Sequence, residues 1–171
     1  KIEAGSTVLV IGCGGGGLNA VQGAMLWGAA KIIAADILDN KLEMAKTFGA
    51  THTINTNTNE DAAKKVKEMA GGLGVDYAFD AIGTEGTIVQ IVDALAPAGH
   101  AVVVGIPSFA TKAPITPYQM VYREKTVSGT YYGSVRPSVD FGILADLDME
   151  KRINLDSLIS RRVSRHRGCV R

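Results

Sequence analysis

Short apolar runs alternate along the chain with longer segments whose apolar residues recur every three or four positions. A continuous apolar run such as TVLVI at residues 7–11 is typical of a strand that is covered on both faces of its sheet. Runs of this kind predict six strands, at residues 7–11, 31–36, 51–55, 75–81, 100–104 and 126–132.

The longer segments predict helices. Capping residues, glycines and prolines at their ends place these helices at residues 18–27, 39–48, 59–71, 85–95 and 138–151. Because strands and helices alternate, the connections are expected to be right-handed crossovers within a parallel sheet. We therefore predict an α/β Rossmann fold, with a six-stranded, doubly wound parallel sheet in the strand order 3-2-1-4-5-6.

The length of 171 residues suits one domain with its own core. We expect a nucleotide-binding domain over residues 1–133, a C-terminal helix and partial return segment over 134–163, and a basic, disordered tail over 164–171. The last eleven residues contain five arginines and no acidic residue, which also suggests an arm that binds nucleic acid. The lack of an accompanying aromatic platform and a net charge of only +1 favour a disordered tail or an altered end of the reading frame, so no nucleic-acid partner is expected.

Cysteine usage and hydropathy bear on the compartment. Cys13 and Cys169 are too few for a disulfide scaffold or a cysteine-based zinc site. No apolar run approaches the roughly 18 residues that span a bilayer, and no secretory signal is visible. We expect a cytoplasmic protein with no membrane partner.

The strongest chemical signal is the motif Gly12-x-Gly14-x-x-Gly17, which follows an apolar strand and opens a helix. The first glycine allows a tight turn, the second lets the backbone approach a pyrophosphate, and the third allows close packing of helix on strand. The helix N-terminus then offers N–H groups and a positive dipole end to the phosphates. Gly15 and Gly16 add further open backbone to this loop.

Asp36 ends the second strand, nineteen residues after Gly17. A carboxylate at this place can accept hydrogen bonds from the adenosine ribose and would repel a 2′-phosphate, which favours NAD over NADP. The alternative is that Asp36 only caps the next turn. Lys41 lies five residues further on, and either contacts the ribose or a phosphate or belongs to a solvated helix face.

Glycines also follow the fourth and fifth strands, in Ile82-Gly83 and Gly105-Ile106. Ligands of open parallel sheets bind outside the carboxyl ends of the strands, so these residues favour a surface for an adenine or nicotinamide ring. Ordinary turn chemistry would explain any one of these glycines by itself. Cys13, inside the glycine loop, is either a reactive thiol or, as we favour, a small filler.

Other catalytic motifs are absent. The chain has no HExxH, CxxC or GxSxG, and Tyr122 and Lys125 are one residue short of a Tyr-x-x-x-Lys pair. The three histidines, His52, His100 and His166, lie far apart and none is at metal-ligand spacing from a cysteine or carboxylate. We therefore predict no catalytic residue and no metal ligand within the chain.

The run from VLVIGCGGGG to GATHTIN, followed by DYAFDAIG, GHAVVVGI and KTVSGTYYGS, resembles the coenzyme-binding segment of zinc-dependent medium-chain alcohol dehydrogenases. The resemblance extends from residue 1 to about residue 163. It implies a role in hydride transfer between an alcohol and NAD, with zinc supplied by a catalytic domain that this chain lacks. The stretch REKTVSGTYYGSVRPSVDF further resembles the branch of glutathione- or mycothiol-dependent formaldehyde dehydrogenases.

The resemblance also implies which residues contact the cofactor. The pyrophosphate would lie on the loop from Gly14 to Leu18. The other implied contacts are Asp36, Ile37 and Lys41 at the adenosine, Ala81, Ile82, Gly83, Val104, Gly105 and Ile106 towards the nicotinamide, and Thr130, Tyr131 and Tyr132 at the carboxamide. The family pattern further implies a homodimer that pairs the strand at about residues 126–131 with its mate, as an exposed edge strand allows.

The sequence departs from this family in three respects. Gly16 replaces a branched aliphatic residue, the N-terminal catalytic domain is absent, and the segment after Val163 no longer follows the family. We therefore expect an NAD(H)-binding chain that does not oxidise alcohols by itself, since zinc is needed to form the alkoxide at neutral pH. The alternatives are a stand-alone NAD-sensing or regulatory module and a methyltransferase that uses S-adenosylmethionine.

Overall fold

The computed structural model describes residues 2–58 and 62–162. Its centre is a sheet of six parallel strands in the order β3-β2-β1-β4-β5-β6, which confirms the predicted Rossmann fold and strand order. The strands are β1 Thr7–Ile11, β2 Lys31–Asp36, β3 His52–Asn55, β4 Val75–Asp80, β5 Leu95–Val103 and β6 Thr126–Gly129. The helices are α1 Gly15–Leu26, α2 Asp39–Thr47, α3 Ala62–Met69, α4 Glu85–Ala94, α5 Pro117–Tyr122 and α6 Pro137–Met149.

The core lies where helices cover the central strands. Val8, Leu9 and Val10 of β1 are at most 1% exposed, as the continuous apolar run predicts for a strand buried on both faces. Helix α1 packs on β1 and β2, and α4 packs on β4 and β5. The parallel register brings the carboxyl ends of β1, β2 and β4 together, because Ile11 is opposite both Ala35 and Asp80.

Several element boundaries differ from the predicted ones. Helix α1 begins three residues early, at Gly15, because the first turn of a helix tolerates glycine. Strand β5 begins at Leu95 and contains Pro97, where a register shift accommodates the extra residues. Strand β6 ends at Gly129 rather than at residue 132, and a short 3₁₀ turn, Tyr132–Ser134, follows it. The predicted first residue of α3, Asn59 or Glu60, lies outside the described residues.

Helix α5 lies within the segment predicted to be a proline-rich loop. Pro117 occupies its first turn, where the missing N–H of proline costs nothing. Six residues are too few to show helical periodicity, which explains why the pattern did not predict this helix.

The chain divides into two compact units between Ser134 and Val135. The first contains the sheet and α1 to α5, and the second contains α6 and a 3₁₀ turn, Asp156–Leu158. None of the side chains of α6 is buried. The predicted basic tail, with His166 and Cys169, lies outside the described residues. Among the described residues, no helix is long and apolar enough to cross a membrane.

Candidate nucleotide-binding site

The glycine motif forms the turn from β1 into α1. Gly12 has a φ of +91° and donates its N–H to the Ala35 carbonyl at 2.8 Å. A Cβ at Gly17 would lie 1.7 Å from the Gly12 carbonyl oxygen. No side chain fits there, so Gly17 is required for the close contact between helix and strand that the sequence predicts.

Gly14, Gly15 and Gly16 leave open space on the outer side of this turn. A Cβ added to any of them would meet no atom within 4 Å, and all three residues are exposed. Gly14 is the N-cap of α1 without a side-chain cap, and the first turn of α1 contains no acidic residue. No acidic side chain of α1 itself therefore offsets the positive end of its dipole, at the place where a phosphate would fit.

The Asp36 carboxylate is anchored to both neighbouring loops. Its Oδ2 accepts the Cys13 N–H at 2.7 Å, and its Oδ1 accepts the Leu38 N–H at 3.0 Å. Asp36 therefore has the capping role considered above, but these two hydrogen bonds do not use all of its acceptor positions. Two carboxylate oxygens offer about four acceptor positions, so roughly two remain for ribose hydroxyls.

Cys13 is a buried structural residue. Its side chain is 0% exposed, and its Sγ donates to the Ala35 carbonyl at 3.7 Å. Burial, with a smaller effect of the Asp36 charge, raises the pKa of this thiol to about 12, although the Lys41 charge opposes the shift. A thiol with this pKa is a poor nucleophile at neutral pH, so the structure supports the filler and not the reactive cysteine.

Asp80 is a buried carboxylate that the sequence analysis missed. It ends β4 and is 0% exposed. Its Oδ1 accepts the N–H groups of Ile82 at 2.9 Å and Gly83 at 3.1 Å, so it fixes the turn after β4. A carboxylate at the end of a predicted strand, three residues before a glycine, was the available signal.

The glycines that follow β4 and β5 pack against each other. Gly83 has a φ of +87°, and its Cβ would lie 2.9 Å from the Gly105 carbonyl carbon. A Cβ at Gly105 would lie 2.4 Å from the Ile82 carbonyl carbon. Backbone packing therefore requires both glycines, as the turn interpretation held, and their close contact leaves Ile82 and Ile106 exposed at this edge.

The remaining predicted contacts lie around the same carboxyl edge of the sheet. Ala81 and Val104 directly follow that edge, and their N–H groups bond to the Ile11 and Asp80 carbonyls at 2.8 and 2.9 Å. Leu18 is buried beneath the glycine turn, and Ile37 is 60% exposed beside Asp36. The last group comprises the half-buried Thr130 and the exposed Tyr131 and Tyr132, whose rings meet edge to face with centroids 4.7 Å apart.

No cluster of three or more His, Cys, Asp or Glu side chains placed to hold a metal occurs in the described part of the chain. His52 bonds with the neighbouring Thr51 side chain at 2.9 Å. His100 bonds through Nε2 with the Ser128 hydroxyl at 2.7 Å, which links β5 to β6. Both histidines are thus engaged in local contacts.

A glycine turn at a helix N-terminus, next to an acidic residue that ends the second strand, is typical of Rossmann domains that bind dinucleotides. Residues 15–147 match the family model described as zinc-binding dehydrogenase. The chain therefore belongs to the zinc-binding dehydrogenase family, and the predicted resemblance to zinc-dependent alcohol dehydrogenases is confirmed.

Individual relatives agree with this assignment. Alcohol dehydrogenase-like 5 of Arabidopsis thaliana is 36% identical over 94% of this chain and 41% of its own length. Benzyl alcohol dehydrogenase of Acinetobacter calcoaceticus matches with a TM-score of 0.88 and 35% identity, over 92% of this chain and 43% of that one. A putative zinc-binding dehydrogenase of Sinorhizobium meliloti, solved bound to NADP, matches with a TM-score of 0.85 and 30% identity, over 94% of this chain and 46% of that one. The chain thus spans somewhat over two fifths of the length of these relatives.

Proposed function

We propose that this chain binds NAD(H) at the carboxyl edge of its sheet, as the coenzyme-binding part of a zinc-type alcohol dehydrogenase. The observation that carries the proposal is the open turn at Gly14–Gly16 beside the anchored Asp36 carboxylate. The two features offer N–H donors to phosphates and carboxylate oxygens to sugar hydroxyls within one short stretch of surface.

The chain's own residues would bind and orient the cofactor. The free N–H groups of the first turn of α1 would hold the pyrophosphate, and Asp36 would accept the ribose hydroxyls. Exposed apolar side chains at the same edge, such as Ile37, Ile82 and Ile106, would cover the faces of the rings and exclude water. When bound, the nicotinamide supplies the hydride acceptor for the reaction.

A preference for NAD over NADP follows from the charge of Asp36. A 2′-phosphate placed against this carboxylate would put two anions in contact. The Sinorhizobium meliloti relative was solved bound to NADP, so the preference must be measured for this chain.

Alcohol oxidation is proposed only for a longer protein that also supplies zinc ligands. Zinc would polarise the alcohol oxygen and so make hydride loss feasible at neutral pH. On this proposal, the 171-residue chain binds NADH without oxidising alcohols. Alcohol-dependent NADH formation by this chain in the presence of zinc would contradict that part of the proposal.

The proposed site is tested by titration with NADH and NADPH, followed by nicotinamide fluorescence and by quenching of Trp27. We expect Gly16→Asp to weaken NADH binding at least tenfold, because it puts a carboxylate against the pyrophosphate while its Cβ enters open space. Gly142→Asp is the control, because Gly142 is exposed, equally open and located in α6. Equal NADH affinities of the two variants would refute the site.

We further propose that the chain forms a homodimer through β6. This strand is at the edge of the sheet and pairs only with β5 among the described strands, so one side of its backbone is open to a second copy. Sedimentation velocity over a range of concentrations tests this, and a monomer at the highest concentration would refute it. A change of size on adding NADH would instead favour the alternative, a regulatory module.

A further inference from the structure

A large cavity lies at the opposite, amino-terminal edge of the sheet. Its volume is about 650 Å³. Its wall includes Leu73, just before β4, Leu95, the first residue of β5, and Lys125, just before β6. Strand β4 has six residues, so roughly 17 Å of strand separates this cavity from the cofactor edge.

Three cations and no acidic residue are found among the described residues that line this cavity. The cations are Lys67 at the end of α3, Arg123 after α5 and Lys125. Neither Lys67 nor Arg123 forms an ion pair within the described residues. For a chain whose net charge is only +1, this is a strong local concentration of positive charge.

Lys125 is held in place but not neutralised. Its side chain is only 8% exposed, and its Nζ donates to the Val92 carbonyl at 2.7 Å and to the Gln119 Oε1 at 3.3 Å. An ammonium group has three donors, so one remains for a ligand. Burial lowers the pKa of Lys125, and the charges of Lys67 and Arg123 add to this effect, while Asp93 opposes it. An anion bound here would offset the cost of burying the Lys125 charge and would reduce the repulsion among the three cations.

Two tyrosines form another part of the wall. The rings of Tyr118 and Tyr122 stack in parallel, with centroids 5.3 Å apart, and both side chains are about two-thirds exposed. They offer an aromatic surface next to the cations. The volume of this cavity is larger than a bare phosphate would fill. Its wall combines hydrogen-bond donors for a dianion with an aromatic surface for a ring.

We propose that this cavity is a second binding site, which takes a phosphorylated small molecule with a ring or other apolar body. Lys67, Arg123 and Lys125 bind the phosphate, and the tyrosine pair contacts the body. A dianionic phosphate matches three converging cations better than a carboxylate, whose single charge would leave two of them uncompensated. The site is independent of the proposed cofactor site, because it shares no residue with it.

The probes are phenyl phosphate, inorganic phosphate and phenol, measured by calorimetry with the 171-residue chain. We expect phenyl phosphate to bind more tightly than inorganic phosphate, and phenol not to bind. Lys67→Gln and Arg123→Gln should each lower the affinity for phenyl phosphate about tenfold, which is the usual effect of losing a hydrogen bond to a charged group. The control Lys112→Gln removes an exposed lysine that does not line the cavity and should leave binding unchanged.

A second control separates the two edges of the sheet. Gly16→Asp disables the proposed cofactor turn and should leave phenyl phosphate binding intact. If Gly16→Asp abolishes it and the cavity variants do not, the phosphate binds at the glycine turn and the cavity proposal is wrong. Co-sedimentation with vesicles containing phosphatidic acid, without binding of soluble phenyl phosphate, would also overturn it, because the source would then be a lipid headgroup.

Discussion

Replacing Asp36 with asparagine separates the two roles of this side chain. Asparagine keeps one carbonyl oxygen but presents an NH₂ group in place of the second acceptor. Of the two bonds in the structure, the 2.7 Å bond from the Cys13 N–H and the 3.0 Å bond from the Leu38 N–H, only one survives. A hydrogen bond to a charged group contributes roughly 1.5–3 kcal/mol, so we expect the free energy of unfolding to fall by about 2 kcal/mol.

This loss is measured by thermal or denaturant unfolding. For a chain of this size, about 2 kcal/mol corresponds to a fall in Tm of about 4–8 °C. The same variant also loses a charged acceptor for the ribose, so its affinity for NADH should fall about tenfold or more. The affinity for NADPH should fall less or should rise, because the carboxylate no longer repels the 2′-phosphate.

Asp76→Asn is the matched control. The Asp76 carboxylate also accepts a backbone N–H, that of Thr7, at 2.7 Å, but it lies at the amino-terminal edge of the sheet. Because asparagine keeps one acceptor oxygen, Asp76→Asn can retain this bond, so it should lose less stability than Asp36→Asn and leave the ratio of NADH to NADPH affinity unchanged. Our account of Asp36 is wrong if the free energy of unfolding of Asp36→Asn lies within about 0.5 kcal/mol of the wild-type value and the ratio of NADH to NADPH affinity is unchanged. A difference that small is below the usual net contribution of one hydrogen bond.

Three further changes test the surrounding structure. Gly17→Ala should prevent folding or cost more than about 3 kcal/mol, measured by denaturant unfolding, because its Cβ would overlap the Gly12 carbonyl oxygen; a native-like Tm would contradict the contact. Stability should fall as pH rises from 9.0 towards 12, by up to about 1.4 kcal/mol per unit, because folded Cys13 retains a proton that the unfolded chain loses; Cys13→Ala should remove this part of the slope. Thr84→Ala should cost about 1 kcal/mol in the same unfolding assay, because Thr84 and Thr87 form a capping box at the start of α4, and an unchanged midpoint would show that the box contributes nothing.

The pattern of apolar runs was sufficient for the fold class and the strand order. Strands β1 and β2 have five and six residues with apolar, buried centres, and each is followed by a helix long enough for a crossover. Right-handed crossovers then leave few possible orders for six strands. The position of the glycine turn at the carboxyl edge follows from the same topology.

The finer boundaries could not be predicted, because they depend on neighbours that are distant in sequence. Strand β5 begins at Leu95 only because Val75 of β4 lies beside that residue. The glycines at positions 83 and 105 looked like open ligand surface in the sequence, but the structure shows that each is required by the other's backbone.

A parallel α/β sheet with a glycine turn and an acidic residue at one edge can be predicted from the amino-acid sequence, because periodicity and spacing are local properties. The surroundings of each polar side chain depend instead on the tertiary fold. It buried Cys13 and Asp80 and anchored Asp36 to two backbone N–H groups. It also brought Lys67 and Lys125, 58 residues apart in the chain, to one cavity. Burial and convergence of charge arise from packing between segments that no local pattern connects.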